Sequence, residues 1–404
     1  MSSEITRHRR PRLVSSQPLV TSNTARLRAV PPGPYYRCGR ITVVAVTETS
    51  LQRDVPLADL TTLRVGGPAR VLIRCVHTRS LVEEILAADT DSEPVLIVGG
   101  GSNLVVSDDG FAGTAIRVES SGITFGTGRE SGRAHVTADA GVTWDDLVAA
   151  TIDAGFGGLE CLSGIPGSTG ATPVQNVGAY GVEVADILRS VQVLDRRAGT
   201  LRWLAPKELG LAYRTSRLKH RDEMVVIAVS FWLNDKRLSQ PLRYRELSAT
   251  MGVETGGRAD AAAVRETVLG LRTAKGMVLD PDDHDTWSAG SFFTNPIVPD
   301  NDFPDILERI HTRIGTDISV PAYPAENGVK LSAGWLIERA GYAKGYPAPD
   351  SPVRLSTKHT LALTNRGGAS TEQLLDLARD VRDGVAQAFA VNLHPEPVLV
   401  NCAL

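Results

Sequence analysis

Two loops of small residues carry the strongest chemical signal in this sequence. Gly99-Gly100-Gly101-Ser102-Asn103 follows the apolar run Val95–Val98. Ile165-Pro166-Gly167-Ser168-Thr169-Gly170-Ala171-Thr172-Pro173 comes about sixty residues later. Consecutive glycines can aim backbone N–H groups into an anion-binding concavity, and small side chains let the backbone approach a ligand closely. Gln175-Asn176 and Gly178-Ala179-Tyr180-Gly181 extend the second loop with groups that hydrogen-bond to phosphate or a heteroaromatic ring. The first loop is not a Rossmann turn. It lacks the GxGxxG form, and Leu104-Val105-Val106 reads as a strand where a Rossmann turn opens the helix that holds the pyrophosphate. Together the loops point to one large anionic ligand held between two subdomains.

Three strings make this specific: Thr61-Thr62-Leu63-Arg64-Val65-Gly66-Gly67-Pro68-Ala69, the loop from Gly99 to Leu104, and Gly164-Ile165-Pro166-Gly167-Ser168 with Gln175 to Gly181. They resemble the FAD-binding segments of the MurB family of UDP-N-acetylenolpyruvoylglucosamine reductases, over about Leu57 to Glu396. The resemblance implies an α+β fold. A two-subdomain FAD-binding fold of the p-cresol methylhydroxylase/vanillyl-alcohol oxidase type would be joined to a C-terminal α/β substrate-binding domain. It also implies FAD contacts at Arg64, Gly99, Gly100, Gly101, Ser102, Asn103, Gly164, Pro166, Gly167, Ser168, Gly170, Gln175, Asn176, Gly178, Ala179 and Tyr180. The flavin would be held without a covalent bond, because Arg64–Ala69 contains no histidine to tether it.

The family reaction reduces the enolpyruvyl ether of UDP-N-acetylglucosamine to a lactyl ether, with NADPH reducing FAD and the flavin passing hydride to the vinyl carbon. Negative charge then builds on the adjacent carbon and its carboxylate, so the protein must supply a cation and one proton. Arg214, in Leu211-Ala212-Tyr213-Arg214-Thr215-Ser216, matches the family's enolate-stabilising arginine. Ser291, in Ala289-Gly290-Ser291-Phe292-Phe293-Thr294-Asn295-Pro296, matches its proton donor. Glu396, in His394-Pro395-Glu396-Pro397-Val398, matches the acidic partner of the arginine. An ionised glutamate beside a substrate carboxylate would repel it, so Glu396 is expected to have a raised pKa.

By the same resemblance, substrate contacts fall on Tyr213, on Tyr244 in the capping-loop subgroup, and on Lys275 and Asn295. The sugar contact on helix Gly334–Arg339 falls on Glu338 or Arg339, where the family often shows an amide. Trp335-Leu336-Ile337 reads equally well as plain helix core. Lys358-His359 sits where a phosphate or metal contact can be imagined, but one histidine on a strand edge is more often structural. No cluster has metal-ligand spacing, and no metal is expected.

The elements that must position these groups are legible in outline. Leu81–Ala88 reads as a helix, Val95–Val98 and Leu104–Val106 as strands, and Thr143–Ala154 as a helix capped by Thr143. Gly155–Gly181 reads as a long loop, which in a compact domain is usually functional. Strands follow at Ser190–Asp195 and Met224–Leu233. A second α/β unit then carries helices near Ala261–Ala274, Ser332–Ala340 and Thr371–Ala390. The expected divisions are FAD subdomains at 54–120 and 121–238 and a substrate domain at 239–390. Residues 391–404 would form a strand returning to the FAD domain. Residues 1–50, with Arg7-His8-Arg9-Arg10 and Pro31-Pro32-Gly33-Pro34, read as a disordered extension or an over-long start without catalytic role.

Composition narrows the class. With 404 residues, 42% hydrophobic and 22% charged, the chain suits a soluble protein of two or three domains. No apolar run approaches the ~20 residues that cross a bilayer. A net charge of -3 without a basic face speaks against nucleic acid. The scattered Cys38, Cys75, Cys161 and Cys402 read as reduced thiols of a cytoplasmic enzyme, and the family implies a monomer. Two other readings are weighed: a sugar or alcohol oxidase of the same superfamily, and a flavin or nucleotide-sugar binding protein that has lost its chemistry. The presence of Arg214, Ser291 and Glu396 together speaks against loss.

Overall fold

A strand covered on both faces needs apolar residues at every position rather than alternate ones. Met224–Trp232, MVVIAVSFW, is such a strand apart from Ser230, whose hydroxyl donates to Val136 O at 3.2 Å, and it is buried along nearly its whole length. In the computed structural model, which describes residues 49–128 and 133–404, it is the centre of a five-stranded antiparallel sheet. Its neighbours are Leu188–Asp195 and Thr200–Leu204 on one side, and Ala134–Asp139 and Ile123–Thr127 on the other. The expectations for residues 1–48, Cys38 among them, lie outside the described residues.

A four-stranded sheet precedes it in the chain. Its order is Ser50–Pro56, Pro68–Cys75, Phe111–Val118, Val95–Val98, antiparallel in the first pair and parallel in the others. Along Pro68–Cys75 the side chains of Val71, Ile73 and Cys75 enter the main core. Leu72, pointing the other way, joins a smaller cluster with Leu57, Leu60 and Val106. Val95–Val98 ends at the Gly99 loop, which therefore leaves the edge of this sheet.

The C-terminal unit has its own core, built on the helices Phe303–Ile314, Ala333–Ala340 and Thr371–Phe389. The last of these buries Leu374, Leu375, Ala378, Val381, Val385 and Phe389, an i, i+3, i+4 pattern. Its start is a capping box between Ser370 and Gln373. Asp108 accepts two further N–H groups, from Thr371 and Glu372 at 2.8 and 3.1 Å. This docks the helix on the turn after strand Leu104–Val106, which also pairs in parallel with Val398–Val400.

Three details differ from the sequence reading. Ala261–Ala274 is a helix, but Ala261, Val264 and Val268 pack into the main core rather than that of the C-terminal unit. Thr143 stands at a helix N-cap without a side-chain cap bond, and the first helical N–H, that of Trp144, donates to the Gly167 carbonyl at 3.0 Å. Gly155–Gly181 is not structureless: it contains turns at Glu160–Leu162 and Thr169–Ala171 and a small hairpin of Gly178–Ala179 with Val182–Glu183.

Candidate active site

The two glycine loops touch. A Cβ on Gly99 would overlap Ser168 Oγ, and one on Gly100 would overlap Gly167 Cα. Gly100 thus lets two backbones meet, and Gly99 makes room for the Ser168 hydroxyl, before any ligand is considered. Behind the first loop, Arg117 donates to the Gly99 carbonyl, while the second loop is pinned by Thr169 N to Val142 O at 2.8 Å and Gly170 N to Ala140 O at 2.9 Å. Alanine at Gly100 must therefore push the loops apart. Overpacking of this kind costs about 1–3 kcal/mol, so Gly100→Ala is expected to weaken FAD binding by about 10–100-fold with the fold retained. Titration of FAD into the flavin-free protein measures this, and unchanged affinity would show that the junction does not shape the cradle.

A cavity of about 430 Å³ runs along the junction. From the expected FAD set it is lined by Gly99, Gly100, Gly101, Ser102, Asn103, Pro166, Gly167, Ser168, Gly170, Gln175 and Gly178. From the expected catalytic set it is lined by all three: Arg214, Ser291 and Glu396. Arg214 occupies the tight turn Ala212–Thr215 with φ 55°, an uncommon conformation for a side-chain-bearing residue. Its Nη2 donates to Gly178 O at 2.9 Å, and its Nε lies 3.0 Å from Glu396 Oε1. Glu396 is held beside the serine by backbone pairing: Glu396 N donates to Phe292 O at 2.8 Å and Thr294 N to His394 O at 3.0 Å. Phe292 and Phe293 are buried under this pairing, while Gly290, at φ 74°, faces open space. Asn103 joins the first loop to both partners, donating to Gln175 Oε1 at 2.8 Å and Glu396 O at 3.3 Å.

Burial raises the Glu396 carboxyl above its ordinary range, opposed by Arg214 and then Lys219. The carboxyl thus sits in an environment that favours its protonated form despite two cations.

The FAD binding domain family matches residues 69–205. The family described as the UDP-N-acetylenolpyruvoylglucosamine reductase C-terminal domain matches 280–400. The UDP-N-acetylenolpyruvoylglucosamine reductase of Nocardia farcinica is 58% identical over 358 residues, covering 89% of this chain and 92% of its own. The enzyme of the same description from Saccharopolyspora erythraea is 57% identical over 349 residues, 86% of this chain and 95% of its own. A crystal structure of the reductase (MurB) from Thermus caldophilus aligns with a TM-score of 0.57 at 25% identity, over 87% of this chain and all of that one. The chain belongs to the UDP-N-acetylenolpyruvoylglucosamine reductase family. As a member of it, the protein is a flavoprotein oxidoreductase of peptidoglycan precursor synthesis, using FAD and NADPH.

The cavity of this reductase fits an FAD. Arg272, three residues before the expected contact Lys275, lines it as a buried guanidinium. Its Nη2 donates to Met277 O at 2.7 Å, but its buried Nε has no partner within the protein. Burial pulls this guanidinium down to about 10. A buried cation with an unused donor is costly unless an anionic or carbonyl-bearing ligand meets it, and FAD carries both kinds of group. Lys219, also unforeseen, lines the same space.

Other expected contacts lie outside the cavity lining. Arg64 stacks over Trp287 at 4.2 Å, and its carbonyl accepts from Asn365 Nδ2 at 3.0 Å. Gly164 N donates to Asp145 Oδ1 at 2.6 Å, and Asp145 is gripped in turn by both Nη atoms of Arg265. Asn176 is buried and braces the loop, bonding Ala185 N, Glu183 and Ala212 O. Ala179 lies in the small hairpin and Tyr180 in its turn, edge-on to the exposed Tyr244 at 5.4 Å. Lys275 pairs with Glu246 at 2.6 Å. Asn295 Oδ1 accepts from Ala333 N at 2.9 Å at the start of a helix, and Asn295 also bonds Tyr213. Tyr213 has Lys330 5.0 Å from its ring centre.

On helix Ala333–Ala340, Leu336 and Ile337 are core, Glu338 accepts from Thr360 Oγ1, and Arg339 stacks on Trp335 at 5.8 Å. His359 is held neutral, its pKa pulled down to about 4 by burial and by the cations Lys275 and Lys344. No group of three or more His, Cys, Asp or Glu among the described residues is placed to hold a metal.

Proposed function

We propose that Arg214, Ser291 and Glu396 carry out the protein's part in reducing UDP-N-acetyl-3-O-(1-carboxyvinyl)-glucosamine to UDP-N-acetylmuramate. The observation that supports this most directly is their convergence on the loop-lined cavity, with Arg214 Nε 3.0 Å from Glu396. Bound FAD, reduced by NADPH, supplies the hydride to the terminal vinyl carbon. Arg214 stabilises the enolate that develops at the neighbouring carbon and carboxylate, a task suited to a planar, permanently charged group. Glu396, protonated for part of the cycle, lets a second carboxyl stand beside that of the substrate without repulsion. Ser291 Oγ holds the proton that quenches the enolate at the ether-bearing carbon, and the buried Phe292-Phe293 pair dries its flank. Tyr213, Tyr244, Lys275 and Asn295 are proposed to border the UDP-sugar, and Arg64, Gly164, Asn176, Ala179 and Tyr180 to shape the FAD loops from outside the lining.

The proposal includes action as a monomer in the cytoplasm. No described helix is long and apolar enough to cross a membrane. The test is an anaerobic titration followed in the visible spectrum. NADPH is expected to bleach the flavin, and the enolpyruvyl UDP-sugar to restore its colour. Recovery only on admitting air would revive the oxidase reading, and a colourless protein that takes up no added FAD would end both.

A further inference from the structure

We propose that Lys219 is a positioning residue of this centre: its ammonium ties the turn carrying Arg214 to the segment carrying Glu396 and adds a second positive charge beside the carboxyl. Its Nζ donates to Arg214 O, five residues away in sequence, at 3.2 Å and to Glu396 O, 177 residues away, at 3.3 Å. An ammonium has three donors. Two are used on these carbonyls, and the third remains for whatever fills the cavity that Lys219 lines.

The rest of the geometry makes the tie stiff. Lys219 follows a turn fixed by Ser216, whose hydroxyl donates to Val174 O at 2.6 Å and accepts from Leu218 N at 3.1 Å. Leu218 is buried, so the lysine backbone cannot drift from the core. Among the described residues, the charged and titratable groups facing the Glu396 carboxyl are Arg214, Lys219 and Tyr213. Arg214 is the nearest, but it also reaches the Gly178 carbonyl. Lys219 contributes the remaining cation, itself pulled down by burial, held up by Glu396 and lowered again by Arg214. The lysine therefore does two things. It fixes the Arg214–Glu396 spacing through the backbone, and it limits how far burial raises the acid.

This inference rests on the proposed role of Glu396 as a group active when protonated, and its test separates the two. Activity in the half-reaction with the enolpyruvyl UDP-sugar is expected to fall as pH rises through the raised pKa of Glu396, and Glu396→Gln should abolish that limb. Lys219→Gln keeps an N–H donor but removes the charge, so the limb should move to higher pH by about 0.5–1 unit. Lys219→Arg should hold it near the parental position. The pH dependence of UDP-sugar binding to the oxidised enzyme, read from flavin absorbance without turnover, should shift in the same direction. A purely structural lysine would lower the rate at every pH and leave the limb in place, which would overturn the proposal alone. A limb that persists in Glu396→Gln would remove Glu396 from the reading, and the role of Lys219 with it.

Discussion

Ser291→Ala is expected to leave the flavin fully reducible by NADPH while slowing its reoxidation by the enolpyruvyl UDP-sugar about 10²–10⁴-fold, the range for loss of a positioned proton donor. The framework around the serine should survive, because backbone bonds hold it. Phe292 N donates to Leu361 O at 2.8 Å, Phe292 O accepts from Glu396 N, and both phenyl rings are buried. Only the hydroxyl is lost, and it faces the cavity beside an open glycine. Rapid-mixing measurements of the two half-reactions separate these effects. Equal reoxidation rates in variant and parent would move the proton to another donor. Equal slowing of both halves would make the serine a flavin-site residue rather than an acid.

Arg214→Met should have an effect of similar size on the same half-reaction, about 10²–10³-fold, as for loss of an electrostatic stabiliser of a developing anion. It also has a consequence for stability. The folded pKa of Glu396 is already raised by burial, and Arg214 is the largest force opposing that rise. Without the arginine the carboxyl is driven further up. A carboxyl whose folded pKa exceeds its unfolded value stabilises the fold most at pH below the unfolded pKa, and that contribution is lost as pH rises through the folded one. The stability deficit of the variant should therefore be smallest in acid and widen toward neutral and alkaline pH. Thermal unfolding across that range measures it, and a deficit independent of pH would show that the pair is not coupled. Arg214→Gly is a useful companion. Glycine accepts φ 55° without the strain a larger residue bears, so backbone strain and loss of charge can be told apart.

The sequence was informative wherever one residue type answers one physical need. The apolar run at Met224–Trp232, interrupted only by Ser230, is readable as a covered strand, and Ser370 with Gln373 as a helix start. Helix Phe303–Ile314 has weaker signals, Pro304 in its first turn and buried Ile306 and Ile310 four apart. The helix Ala261–Ala274 shows the limit of pattern: its spacing reveals an apolar face but not which of two cores that face meets. The loops show another limit. Glycine serves backbone-to-backbone contact and ligand approach alike, and at Gly100 the loop contact alone demands it. Lys219 lies in the run Leu218-Lys219-His220-Arg221-Asp222, which looks like solvated surface. Only the fold brings its ammonium to Glu396, 177 residues away. Family resemblance, not spacing, had singled out Arg214, Ser291 and Glu396, because an isolated Arg, Ser or Glu carries no pattern of its own.

The Asn103 amide meets Gln175 and, across 293 residues of sequence, the Glu396 carbonyl. Contacts between such distant segments cannot reward the chain until most of the intervening structure has formed, since loop closure must come first. The centre therefore exists only when segments far apart in sequence are all in place. FAD, which needs both loops in place, recognises the finished arrangement and stabilises it by mass action. Removal of FAD should therefore lower the temperature at which the protein unfolds.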